Sequence, residues 1–513
     1  MVCPRFLPVG QLLSLLGESY WGELSGGSLY RPLTLLLLGA QRLSFGSDLA
    51  RFGIVGLGMH TACSLLVLLL LQRLFSRLQA ASPAAAPGTG SGRAAALAGA
   101  LLFALHPIHA EAVTTIYGQA DMAASLFFVW ALWLYLGSNR GPGLGAGPPR
   151  ALSAIERPDC DPGWPRLLAI GACYLLSLGF KEAGAALPAA LALTRGLVLC
   201  PRCPGLRRWV GPTELFMLLP LGLFIGLRFA VLREDMFPSG TDSVAWDYPW
   251  WARINLIIVS LGSYLQLLVM PWAQTTYYGH LRDAVFGWPV LQAAWLVAGT
   301  ALAWWLLQPN RLLSNSPPGE HGAPRASEPV VAARLGLSLL ALALLPVANV
   351  LPIGIVVAER ALYLPSIGFA MLAAAGWLAL AQRLPRLAWG TALLLLLAAF
   401  GASQRVSTQW RTPLSHWQAT VAAHPRSDLG NAMLGQRLLV TLAAELPVAR
   451  IRTDPRFAQA EQALQRALAL TRGLPEALYG QAQVALVRGD MTRYQELRLE
   501  YARQRTDRKS KPP

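Results

Sequence analysis

Eleven apolar runs, most of them too long and too uniform to turn a polar face to water, dominate this chain. They lie near 53–72, 94–106, 120–137, 165–180, 183–198, 213–232, 254–271, 287–308, 335–350, 361–382 and 388–402. Only lipid tolerates so many such segments at once, and in lipid every backbone N–H and C=O must be satisfied within its own segment. The expected fold class is therefore all-α, a polytopic membrane helical bundle. Composition agrees: 54% of the 513 residues are hydrophobic and 14% charged, against about a quarter charged in soluble domains. A purely soluble enzyme, a disordered chain and a fibrous repeat are excluded.

The formal charge of +16 would suggest nucleic acid in a soluble protein. Here the arginines sit in short loops between apolar runs, where they set orientation, so the expected partner is the lipid bilayer and not nucleic acid. Arg73, Arg77 and Arg93 share one loop, Arg140, Arg150, Arg157 and Arg166 a second, and Arg195, Arg202, Arg207 and Arg208 a third. The turn from His106 to Asp121 has no Lys or Arg, and Arg233–Trp250 sets one Arg against Glu234, Asp235, Asp242 and Asp247. The Arg-rich loops are expected in the cytoplasm and the acidic ones outside. Residues 1–50 and 403–513 then both lie outside, so one apolar segment should not cross; 254–271 and one of the 165–198 pair are the candidates.

Gln79–Arg93, Arg140–Gly163 and Pro309–Val331 are rich in Ala, Pro, Gly and Ser and read as flexible loops. Pro4 and Pro8 break any signal-peptide pattern at the start, which reads as an amphipathic entry segment. The pair Cys200-Pro-Arg-Cys203 has no second pair or nearby histidines, so neither a zinc site nor a disulfide framework is expected.

From Ser403 the apolar residues become spaced and polar ones frequent. Small residues line one face of a helix through Phe457–Ala467, a turn follows at Gly473-Leu-Pro475, and a second helix, Glu476–Arg488, stops at Gly489-Asp490. This spacing resembles a tetratricopeptide repeat, with a weaker copy through Trp417–Leu439. The expected division is a transmembrane domain over 1–402 and a tetratricopeptide-like helical domain outside the membrane over 403–513.

Polar groups kept beside apolar segments are functional candidates because they are costly there. Four clusters stand out, all on the expected outer face. His106-Pro-Ile-His109-Ala-Glu111, continuing to Tyr117-Gly-Gln119-Ala-Asp121, could hold a divalent metal or could hydrogen-bond a phosphate and a sugar hydroxyl. Asp121 suits a helix cap as well as a functional role. Lys181-Glu182 interrupts an apolar stretch, either as a neutralising pair at a hairpin tip or as a phosphate-binding lysine with its partner. Glu359-Arg360, before Tyr363-Leu-Pro365-Ser366, offers a guanidinium for bidentate phosphate binding, against simple snorkelling to the interface. Tyr30-Arg31-Pro32-Leu33-Thr34 reads either as an interfacial anchor beside a helix-starting proline or as part of a site. No Ser/His/Asp order, GxSxG elbow or P-loop is present.

The ordered set Tyr-Arg-Pro-Leu-Thr (30–34), His-Pro-Ile-His-Ala-Glu-Ala-Val (106–113), Gly-Gln-Ala-Asp (118–121), Phe-Lys-Glu-Ala-Gly (180–184) and Ala-Glu-Arg-Ala-Leu-Tyr-Leu-Pro-Ser (358–366) resembles the transmembrane-and-tetratricopeptide-repeat O-mannosyltransferases and their bacterial relatives. The resemblance implies a GT-C membrane glycosyltransferase. Its donor would be a polyprenyl-phosphate-linked sugar, and its acceptor a protein Ser or Thr hydroxyl on the lumenal or periplasmic face. Two features depart from that pattern. The sequence opens after the point where the family carries a first helix and an acidic motif, upstream of Tyr30, so neither is visible in it, and either the start is misassigned or that base is lacking. Gln119 stands where Arg is expected. The resemblance assigns catalytic work to Glu111, His106, His109 and Asp121, and donor-phosphate binding to Lys181, Arg360, Glu182, Glu359, Tyr363 and Arg31. The residues identify no certain cofactor, and a divalent metal at the histidines is the one candidate. Alanine at Arg360 is expected to abolish transfer and spare the fold. High Ala, Leu, Gly and Arg content suggests a bacterial inner membrane with the repeats in the periplasm. The competing class is a non-catalytic membrane scaffold whose repeats bind protein partners; ionisable groups gathered at one face, not mid-membrane, speak against a transporter.

Overall fold

The computed structural model describes residues 9–20, 29–46, 48–80, 90–137, 161–201, 203–233, 248–271, 274, 278, 281–308, 327–350 and 356–510. Every regular element among them is helical. Eight helices are long and apolar enough to cross a membrane: Ala50–Ala80, Ile116–Leu136, Glu182–Leu199, Pro212–Leu232, Trp250–Val269, Glu328–Val347, Pro365–Arg383 and Pro385–Gln409. Ser91–Leu105 and Pro107–Thr114 add a ninth if the two are one span broken by a 45° bend. Trp164–Phe180 and Val290–Trp305 are apolar but shorter. All eleven expected segments are thus helices, and the chain is a polytopic helical membrane protein. Most of the loop 140–163, the loop 309–326 and the acidic stretch 234–247 lie outside the described residues.

The chain divides into two compact units. The first comprises Met1–Phe237, Ala298–Pro346 and Arg360–Phe400, and the second Pro238–Val297, Val347–Glu359 and Gly401–Pro513. Helix Pro385–Gln409 runs unbroken through the 402/403 junction.

In the first unit the helices used below are α1 (Pro32–Phe45), α2 (Leu49–Ala80), α3 (Ser91–Leu105), α4 (Ala110–Thr114), α5 (Gln119–Leu136) and α6 (Trp164–Phe180). Helix α5 is central, with Ala120, Met122, Val129, Ala131, Leu132 and Tyr135 buried against its neighbours. Helix–helix packing in lipid relies on close backbone approach at small residues, and Gly336 and Gly368 supply it. A Cβ on Gly368 would lie 2.5 Å from the Gly336 carbonyl, and one on Gly336 would lie 2.8 Å from the Gly368 carbonyl. Exposed Leu393, Leu394, Leu395, Leu397 and Phe400 leave most of the circumference of Pro385–Gln409 bare and apolar, as a lipid-facing helix requires.

The two ends of α5 and α6 carry opposite chemistry. Asp121 at the start of α5 meets Lys181 just beyond the end of α6. At the other end Arg166 donates to the Gly137 carbonyl, and Arg73 donates to the Trp133 carbonyl at 2.8 Å and stacks 3.9 Å from the Trp133 ring. With ~1.5 Å of rise per residue, a helix as long as α5 separates these ends by roughly the thickness of a bilayer core.

The second unit joins helix Trp250–Val269 to the segment before Arg360 and to the helical tail. Asn349, held at φ +56°, donates to Ser260 Oγ at 2.9 Å and to the Val356 carbonyl at 3.0 Å. The tail consists of Pro413–Ala423, Asp428–Glu445, Val448–Ile451, Pro455–Leu470, Pro475–Arg488 and Met491–Ser510. Both expected tail helices form, and Gly489 at φ +82° ends the second, a left-handed C-terminal position that glycine adopts at little cost.

Candidate functional site

The site begins with a broken helix. Pro107 has no N–H, so α3 stops at Leu105 and the chain turns through His106 before resuming as α4. The break leaves backbone groups over. The Ile108 N–H, which an unbroken helix would give to Ala104, goes to His106 Nδ1 at 3.2 Å instead. The freed Ala104 carbonyl accepts from His60 Nε2, on α2, at 3.1 Å. The bend also turns His109 and Glu111 inward, to 2% and 0% exposure.

Glu111 uses both oxygens on one residue. Oε2 accepts the Arg360 backbone N–H at 2.9 Å, and Oε1 pairs with the Arg360 guanidinium. That guanidinium also lies 4.8 Å from the centre of the Tyr117 ring. His109 Nε2 lies 2.9 Å from Ser366 Oγ, whose own hydrogen goes to the Tyr363 carbonyl at 2.7 Å, so His109 donates to Ser366. Tyr363, fully buried, lies 2.8 Å from His60 Nδ1 through its hydroxyl.

Two further ion pairs complete the cluster. Lys181 Nζ pairs with Asp121 Oδ1. Arg31, at the start of α1, grips both oxygens of Glu182 at 2.9–3.2 Å, and its guanidinium lies 5.2 Å from the Tyr20 ring centre. Asp121 is near enough to act electrostatically on Arg31, Lys181 and Arg360 alike. Residues near 31, 121, 181 and 360 therefore form one constellation of three cations and three carboxylates. Burial lowers the Lys181 ammonium below its ordinary value although Asp121 opposes it. Burial acts on Arg360 in the same sense, but the Glu111 and Asp121 charges overcome it and raise the guanidinium.

Several expected residues lie elsewhere or are engaged otherwise. Glu359 falls in the second unit, where it is 1% exposed and accepts from the Tyr278 hydroxyl at 2.7 Å. Tyr363 faces the protein interior, where its hydroxyl is engaged by His60 at 2.8 Å and lies beside the Cys63 thiol. His106 Nδ1 is taken by a backbone N–H, and among the described residues no group of three or more His, Cys, Asp and Glu is arranged to hold a metal. Gln119 is a packing residue: it exchanges hydrogen bonds with Gln41 at 2.6 and 3.2 Å and donates to the Phe52 carbonyl at 3.0 Å. His60, Tyr20 and Tyr278 were not legible as site residues. For His60 the signal existed, a lone imidazole inside an apolar run.

Comparison with known proteins agrees with the motifs. The chain is 26% identical to Drosophila melanogaster "Protein O-mannosyl-transferase Tmtc3" over 552 aligned positions, covering 90% of this chain and 55% of that protein. It is 28% identical to human "Protein O-mannosyl-transferase TMTC3" over 54% of this chain and 29% of that one. It is 25% identical to mouse "Protein O-mannosyl-transferase TMTC4" over 84% of this chain and 58% of that one. The chain spans about half the length of the relatives it matches most fully. No protein-family model and no solved structure matches it. The chain is thereby similar over most of its length to TMTC protein O-mannosyl-transferases.

Proposed function

We propose that this chain is a GT-C-type glycosyltransferase. In this reading it moves a mannose-like sugar from a polyprenyl-phosphate carrier to Ser or Thr hydroxyls of proteins, at the membrane face away from the cytoplasm. The observation that carries the reading is the convergence of Arg31, Lys181 and Arg360 around Asp121, from three distant stretches of sequence. Cations held at the end of a helical bundle, with aromatic rings beside two of them, suit a lipid-linked phosphate at the interface. The homologues' names point to the same chemistry.

The constellation is charge-balanced before any ligand arrives, so a donor phosphate must exchange with a carboxylate. Glu111 is sealed and bonded to the Arg360 backbone, and Glu182 is gripped by Arg31 at both oxygens. Lys181–Asp121 is a single-oxygen contact, and so the pair that opens most readily. Phosphate binding to Lys181 and Arg360 then frees Asp121 as general base. The acceptor hydroxyl attacks the anomeric carbon, its proton passes to Asp121, the bond between that carbon and the phosphate oxygen breaks, and the polyprenyl phosphate leaves with its charge held by Lys181 and Arg360. A single displacement inverts the anomeric centre. His109 and Glu111 hold the segment that presents Arg360, and His106 caps the turn that presents them. The helical hairpins of 403–513, as a tetratricopeptide-like domain, would receive the acceptor protein.

The test is incubation of membranes carrying the chain with labelled polyprenyl-phosphate mannose. Label on protein, lost in Asp121→Asn, is expected. Label transfer unaffected by Asp121→Asn removes the proposed base, and no transfer by the wild type favours the scaffold reading.

A further inference from the structure

His60 lies within the apolar helix α2 and is 8% exposed. It contacts none of the three ion pairs directly, yet both its ring nitrogens are engaged. The Ala104 carbonyl can only accept, so Nε2 carries the hydrogen, at 3.1 Å. In a neutral imidazole this leaves Nδ1 as an acceptor, and the Tyr363 hydroxyl donates to it at 2.8 Å.

We infer that His60 is a positioning residue for Arg360, acting through Tyr363; the inference rests on the phosphate-binding role proposed above for Arg360. The Tyr363 N–H bonds back to the Arg360 carbonyl at 3.1 Å, closing the short helical turn that carries the guanidinium. Ser366 Oγ donates to the Tyr363 carbonyl and is itself held by His109. The turn is thus fixed at Arg360 by Glu111, at Tyr363 by His60 and at Ser366 by His109. The three anchors come from α2 and the broken α3–α4 segment. The His60 anchor exists because the Pro107 break frees the Ala104 carbonyl, and that carbonyl selects the imidazole tautomer able to accept from Tyr363.

Two measurements on the full chain in detergent test this. In hydrogen–deuterium exchange, His60→Phe and Tyr363→Phe should each speed exchange across 360–366 while leaving the tail helix Asp428–Glu445 unchanged. Unchanged protection of 360–366 in both variants overturns the inference. Should His60→Phe lose protection throughout, Tyr363→Phe, which removes a single oxygen, decides alone. This arm does not depend on enzymatic activity, so a wild type that transfers no sugar defeats the transferase reading without touching it. In the transfer assay His60→Phe should raise the donor KM about five- to tenfold, the equivalent of one lost hydrogen bond. In an Arg360→Lys background the same substitution should have little further effect. Fully additive losses would mean that His60 does not act through Arg360.

Discussion

Glu111 holds Arg360 at two points, its backbone N–H and its guanidinium, although the residues are 249 positions apart in sequence. The carboxylate has no exposure to solvent, while the guanidinium keeps 21% of its side-chain surface open. One partner is a fixed post and the other an available hand.

This pairing changes what a substitution at Arg360 does. Alanine would leave Glu111 buried without a counter-charge, which costs about 3–5 kcal/mol. Arg360→Ala is therefore expected to lower thermal stability as well as transfer, contrary to the expectation from sequence that it spares the fold. Arg360→Lys keeps the charge and loses the planar fork. It should retain most of the stability and still lower transfer, read by a melting curve beside the labelled-sugar assay.

Lys181 and Asp121 should behave differently from each other. Lys181→Gln removes a cation proposed to stabilise the leaving phosphate and is expected to lower kcat by about 10²–10³. Asp121→Asn should lower kcat comparably yet leave donor affinity intact or improved, because phosphate no longer competes with a carboxylate for Lys181. Donor binding followed by tryptophan quenching checks this; weaker binding in Asp121→Asn contradicts the exchange step.

Gly368→Ala tests the packing of the bundle. The added Cβ would meet the Gly336 carbonyl and the Leu340 backbone nitrogen, both at 2.5 Å. Backbone cannot swing away as a side chain can, so the helices must part, at a cost of about 1–3 kcal/mol. Thermal unfolding in detergent should shift down, and Gly376→Ala, where a Cβ meets nothing within 4 Å, should be neutral.

In the tail, burial pushes the His416 imidazole down from 6.5 to about 4, with the Trp410 ring 4.1 Å away. Above pH 6.5 folded and unfolded forms are both neutral and stability does not depend on this group. Between about pH 6.5 and 4 the unfolded chain takes up a proton that the folded chain refuses, so stability falls with pH, by about 2–3 kcal/mol in full. Exchange protection of Pro413–Ala423 should drop from pH 7 to pH 5, corrected for intrinsic rates. His416→Phe should remove the dependence.

The fold brings the motifs from 106 to 121, at 180–184 and at 358–366 into mutual ion pairs, but their sequence does not say who holds whom. His106-Pro-Ile-His109 looks like a ligand pair because its spacing is local. It is a broken helix whose side chains satisfy a turn and brace a distant segment, and only the orphaned Ala104 carbonyl makes that plain. Glu359 and Arg360 are adjacent in sequence and engage separate partners, Tyr278 and Glu111.

By itself the sequence determined the helical class and the eleven apolar helices, because a segment without polar side chains must satisfy its backbone internally wherever lipid is the solvent. It also determined the break at Pro107 and the stop at Gly489, since both depend on backbone chemistry within a few residues. Tertiary structure alone decided the pairings Arg360–Glu111, Lys181–Asp121 and Arg31–Glu182, the packing role of Gln119 and the engagement of His60. A buried charge or imidazole takes whichever partner the folded helices bring within reach, and that distance is set by packing across hundreds of residues.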